Sequence, residues 1–169
     1  MNDWNRYIKE LKRSPIPVEG GVDVPESVSS LIPHRPPFLL IDRVLQVDLG
    51  GLTISGSRYL DRDDPIFRGH FVNEPLYPGV LQIEMMAQLG LCLANYQRYK
   101  SQNHSHPQEP LKGYFTKIHH ALFNHPAVPD QTLTIRAKIL DEDPLTITLA
   151  GQVYHQADLC SLSIIEAYH

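Results

Sequence analysis

The sequence predicts an α+β domain in which one curled antiparallel sheet wraps a single long helix. Residues 78–100, PGVLQIEMMAQLGLCLANYQRYK, have no internal proline and are rich in good helix formers. They place apolar side chains at almost every angle of a helix, which marks a buried helix rather than a surface one. At the α-helical rise it would be roughly 30 Å long, the width of a small domain. Before it lie two strand-like runs joined by Gly50-Gly51, and after it four more, separated by turn residues. Burying one all-apolar helix with these strands requires a sheet curled around it. Such a sheet keeps an edge, and edges of this kind are commonly paired in a dimer.

With 169 residues, 42% of them hydrophobic, the chain suits one compact domain plus an arm. The net charge of −4 leaves no basic excess to grip nucleic acid. Gln82, Glu84, Gln88 and Asn95 interrupt the long helix too often for a membrane span. The N-terminus has no apolar signal core, so a cytoplasmic protein is expected. Cys92 and Cys160 form no spaced motif and read as two buried thiols.

In order, residues 1–13 place Trp4, Tyr7, Ile8 and Leu11 at helical spacing, a short amphipathic helix packed as a surface arm. Residues 14–25, rich in Pro and Gly, read as a linker. We divide the chain into an arm and linker, 1–24, and a domain, 25–169. A helical turn is expected at 26–32. Phe38–Val47 suggests a strand whose start Pro36 and Pro37 hold out of a ladder. Gly50-Gly51 makes a two-residue hairpin turn, and 52–60 returns. A polar loop through DRDDPIFRGHFVNEPLYPG leads to the long helix. Residues 101–110 form a polar, His-rich loop. Strands follow at 112–124, 131–141, 145–155 and 159–168.

Three features can carry chemistry. Gly69 can set the exposure of His70, and histidine is the natural base near neutral pH; the plainer alternative is a loop histidine bonded to a backbone carbonyl. Gly79 opens the helix, where unpaired amides and the positive end of the dipole can polarise a carbonyl oxygen; the alternative is an ordinary helix start. Glu84 sits among Val80, Leu81, Ile83, Met85 and Met86, which favour its protonated form; the alternative is a carboxylate at the helix's wet edge. Gln88, one turn on, shares its face and can hold that carboxyl or a water. A base, an acid and a carbonyl clamp are what removal of an α-proton and a β-hydroxyl from a thioester requires. Neither step calls for a metal or an organic cofactor. His104, His106, His119 and His120 lack a matching set of ligands at metal-binding spacing.

PHRPPFLLIDRV, DDPIFRGHF and EPLYPGVLQIEMMAQLG resemble three signature stretches of the FabZ/FabA family of β-hydroxyacyl-(acyl carrier protein) dehydratases. FNHPAVPDQTL resembles a further strand–turn–strand stretch of that family, and the resemblance covers roughly residues 25–168. It implies a hot-dog fold and an active site at a homodimer interface, with larger assemblies of dimers also open. It implies that His70 of one protomer works with Glu84 of the other, and that the Gly79 amide binds the thioester carbonyl. Phe71, Tyr77 and Gln88 complete the substrate-binding set. Glutamate at position 84 places the chain on the FabZ-like branch, which dehydrates without isomerising; the isomerising branch usually carries aspartate. The substrate carrier is then an acyl carrier protein or coenzyme A.

The chain also departs from the family pattern. Val72 follows Phe71 where proline is usual, and Tyr77 replaces a methionine, which can reshape the acyl tunnel. AVPDQ lacks the usual glycine after proline, and Lys117 and His119 replace a small residue and an acid or amide. Leu122, Asn124 and His125 flank Phe123 where basic residues normally attract the acidic carrier. Arg58, Arg62, Arg68, Arg98, Lys112 and Lys117 are left for that task. Two rival readings stand beside dehydration: a hot-dog thioesterase, and a non-catalytic subunit of a heteromeric dehydratase.

Overall fold

A computed structural model describes residues 4–168. The elements are α1 (Trp4–Arg13), β1 (Val22–Asp23), α2 (Val28–Leu31), β2 (Arg43–Asp48), β3 (Thr53–Tyr59), α3 (Pro65–Gly69), α4 (Gly79–Ser101), β4 (Tyr114–Phe123), β5 (Thr132–Glu142), β6 (Thr146–His155) and β7 (Asp158–Tyr168). The strands form one antiparallel sheet in the order β1-β2-β3-β5-β6-β7-β4, so β4 is an edge strand. The curled sheet and its central helix are the hot-dog fold.

Helix α4 is buried nearly all round because the sheet reaches it from several strands. Met85, Met86, Leu89, Cys92 and Leu93 are fully buried in one core with Ile54, Leu133, Ile135 and Val153. Glycines mark where helix and sheet come closest. A Cβ on Gly151 of β6 would lie 2.4 Å from the Met86 Cβ, and one on Gly90 of α4 would lie 2.4 Å from Leu149 Cδ1. Only hydrogen fits at either place.

Strand β6 is buried along almost its whole length, on both faces. The face away from α4 is covered by the N-terminal arm. Leu11 and Ile16 form a second core with Ala150, Tyr154, Leu162 and Ile164, and Trp4 and Ile8 pack against it. The fully buried Gln152 of β6 fastens the arm's backbone. Its Nε2 donates to Leu11 O at 2.7 Å and Ser14 O at 3.0 Å, and its Oε1 accepts from Ile16 N at 2.6 Å. An arm-and-linker reading of 1–24 thus falls on a segment that closes a second core. Residues 1–3 and 169 lie outside the described residues.

Four local expectations differ from the structure. The strand expected from residue 38 starts at Arg43. Gln88 of α4 intercepts the preceding segment, accepting from Leu40 N and donating to Phe38 O. Those groups bond a side chain instead of a neighbouring strand. The hairpin turn spans residues 49–52 instead of two glycines. The Asp48 carboxylate accepts from the Gly50 and Gly51 amides, and Leu52 takes φ 53°. The linker contributes β1, which pairs with β2, and the polar loop contains α3. No described helix is long and apolar enough to cross a membrane.

Candidate active site

Helix α3 exists to deliver His70. Asp64 caps it by accepting from Ile66 N at 3.0 Å, Pro65 fits its first turn, and His70 ends it with its amide on Ile66 O. The loop then closes on itself: Phe71 and Glu74 exchange backbone hydrogen bonds, and Leu76 N donates to His70 O. Val72 stands exposed in this loop, which backbone bonds hold where the family uses proline. The His70 ring stacks on Phe71 at 4.1 Å, and its Nδ1 lies 2.8 Å from Leu76 O. A carbonyl only accepts, so Nδ1 carries a proton, and in the neutral ring Nε2 is the nitrogen with the free lone pair. The plainer alternative, a histidine bonded to a backbone carbonyl, describes the contact observed; the same bond would also set the tautomer a base needs.

His70, Gly79 and Phe123 line one cleft of about 410 Å³, with Val80, Gln82 and Asn124. Gly79 begins α4, and the Leu81 and Gln82 amides turn back onto Pro78 O. The Gly79 amide lies ahead of them at the open, positive end of the helix. A Cβ here would come within 2.6 Å of the Phe123 ring, so a side chain would displace the wall of the cleft. Tyr77 is 2% exposed, and its ring packs against Phe67. Burial pushes its hydroxyl up to about 12, so it stays protonated.

Glu84 lines a different, smaller cavity of about 50 Å³ with His34, Gln88, Leu91 and Phe115. Burial raises its carboxyl above the usual range, and the Gln88 hydrogen bond offsets part of that. Gln88 Nε2 donates to Glu84 Oε1 at 3.0 Å. The orientation of Gln88 is fixed, because the same amide spans Leu40 N and Phe38 O. Gln88 therefore holds the carboxyl, one of the two roles its spacing allowed. Within one chain the structure does not join all the expected residues. His70, Gly79 and Tyr77 share one cavity, Glu84 and Gln88 another, and Phe71 stands half exposed beside His70. His34, 3.6 Å from Glu84, was not singled out from the sequence; its place among prolines in a signature stretch was the available signal.

A family model for the FabA-like domain matches residues 32–160, which include both cavities' polar residues. The chain belongs to the FabA-like family. Among curated FabA-like relatives, the 3-hydroxyacyl-[acyl-carrier-protein] dehydratase FabZ of Campylobacter curvus is 36% identical over 148 residues, covering 86% of this chain and 96% of that one. The FabZ of Thiobacillus denitrificans is 38% identical over 117 residues, 69% of this chain and 77% of the relative. The dehydratase heterocomplex ApeI:P from Xenorhabdus doucetiae has a chain that superposes with a TM-score of 0.69 at 16% identity, covering 85% of this chain and 91% of that one. The Escherichia coli PaaI protein superposes with a TM-score of 0.54 at 12% identity, covering 75% and 77%. These structural likenesses support the hot-dog fold.

Proposed function

We propose that this chain eliminates water from a 3-hydroxyacyl thioester to give the trans-2-enoyl thioester, as its FabZ relatives are named for doing. The observation that carries the reading is the pairing of a proton-accepting ring nitrogen with a carboxyl that favours its proton. Leu76 O holds His70 through Nδ1, which aims Nε2 as the acceptor of the neutral ring, and partly buried Glu84 favours its protonated form. His70 removes the α-proton, the Gly79 amide and helix dipole stabilise the enolate-like oxygen, and Glu84 protonates the departing hydroxyl.

The two halves meet across a homodimer. Strand β4 is an edge, and Tyr114, Phe115, Ile118 and Phe123 on it are exposed. Phe115, near its start, lines the Glu84 cavity; Phe123, at its end, lines the His70 cleft. Over eight residues these lie about 26 Å apart along the strand. Antiparallel pairing of two β4 edges about a two-fold axis sets the start of one strand against the end of the other. The partner's His70 then faces Glu84, and each dimer holds two sites. Acyl carrier protein or coenzyme A presents the substrate, and the enzyme works in the cytoplasm.

A hot-dog thioesterase would use an ionised carboxylate to activate water, and burial of Glu84 opposes that state. The test is turnover of 3-hydroxyacyl and crotonyl thioesters on both carriers, read as enoyl absorbance and free thiol. Interconversion of hydroxyacyl and enoyl thioester without thiol release is expected. Thiol release would install the thioesterase, and no reaction with any substrate would favour a non-catalytic subunit.

A further inference from the structure

We propose that His34 is a positioning residue for Glu84. Its Nε2–H donates to Glu84 Oε1, completes a two-donor clamp on that oxygen with Gln88, and leaves Oε2 to carry the acid proton. This rests on the reading of Glu84 as the acid. The orientation of Gln88 fixes one donor, Nε2, on Oε1 at 3.0 Å. His34 Nε2 lies 3.6 Å from the same oxygen, longer than a formed bond and close enough for a small ring rotation to close. Catalytic hydrogen bonds commonly tighten when substrate binds.

The rest of the His34 ring points the same way. Its Nδ1 is buried without a partner. A lone proton on Nδ1 would be stranded, whereas on Nε2 it faces a carboxyl oxygen. Burial, and then the neighbouring Arg35 charge, lower the His34 value below the ordinary 6.5, which keeps the ring neutral. Arg35 donates to Ile32 O at 3.0 Å and His34 O at 2.7 Å, holding the loop that presents the ring.

With both donors on Oε1, the carboxyl proton has its place on Oε2. When Oε2 gives that proton to the leaving hydroxyl, water departs, and His70 of the other subunit holds the α-proton. The new carboxylate already has two donors to stabilise it. His34 and Glu84 are the titrating residues that line this cavity; the strand residues facing them from β4, β6 and β7 are apolar. Arg35 adds its charge from the loop, and in the proposed dimer the partner's His70 faces the pair.

The experiment is a carbon-13 titration of glutamate carboxyls in the full-length protein. Glu84 is assigned by the signal lost in Glu84→Gln, and turnover is measured in parallel. In His34→Leu and His34→Ala the Glu84 midpoint should rise by about half a unit or more, since a donor to the carboxylate is gone. His34→Gln, which keeps an N–H, should move it back toward wild type. Turnover in the Leu and Ala variants should fall about tenfold or more with KM changed less than about twofold. An identical midpoint in all variants overturns the assignment, whatever the turnover. A shifted midpoint in a protein that dehydrates nothing upholds the His34–Glu84 contact and removes the dehydratase reading instead.

Discussion

At the scale of single residues, the raised Glu84 carboxyl links stability to the rate that the proposed mechanism gives it. The folded chain holds this proton more tightly than the unfolded chain, whose carboxyl titrates near 4.5. Its contribution to stability is therefore fully present below that value and is lost as pH rises through the folded one. If Glu84 is the acid, as proposed, turnover needs the protonated form and should decline over the same raised window. Glu84→Gln removes the charge that burial penalises. It should abolish most turnover, by about a hundredfold or more, and melt at or above wild type at pH 7, with the difference closing near pH 4. A variant that melts lower at pH 7 would show that the carboxylate stabilises the fold. Gly79→Ala should cut turnover because its Cβ meets the Phe123 ring; adding Phe123→Ala should recover part of the loss in a kcat assay. From the sequence, the burial of Glu84 and its link to Gln88 were legible, because helical spacing fixes both. The His34 contact was not, since it joins residues 50 positions apart through a loop path that periodicity does not encode.

At the scale of elements, the sheet touches the helix where the sequence has glycine. Gly151→Ala should destabilise the fold by roughly 1–3 kcal/mol, as overpacked cores do, lowering the melting temperature while the folded fraction keeps its kcat. An unchanged melting temperature would mean that Met86 yields freely. The long helix and the four later strands were legible within one or two residues, because each is a run of regular composition bounded by turn residues. The failures share a cause. Residues 38–42 have strand-like composition, yet Gln88 takes their backbone groups. The Asp48 carboxylate widens the Gly50-Gly51 turn in the same way. Side chains distant or local captured backbone donors that propensity assigns to ladders. The arm was read as a helix from its spacing, but not its seat: that depends on Gln152, a fully buried polar residue inside a strand buried along most of its length. Gln152→Ala strands three arm backbone groups at once, so we expect a drop in melting temperature of several degrees and faster proteolysis between Ser14 and Gly21.

At the scale of the whole molecule, the proposed mechanism has one chain carry two halves of a site. His70 and Gly79 open at the end of edge strand β4, and Glu84 lies near its start. In the proposed dimer, antiparallel pairing of two such edges would complete both sites while covering the apolar side chains that β4 exposes. His70→Ala and Glu84→Gln homodimers should each be folded and inactive. The most direct measurement is the turnover of a purified heterodimer with His70→Ala in one subunit and Glu84→Gln in the other. One of its two shared sites is then intact, so it should regain about half of the wild-type rate per dimer, each shared site contributing independently. A heterodimer as inactive as either parent would contradict a site shared between subunits.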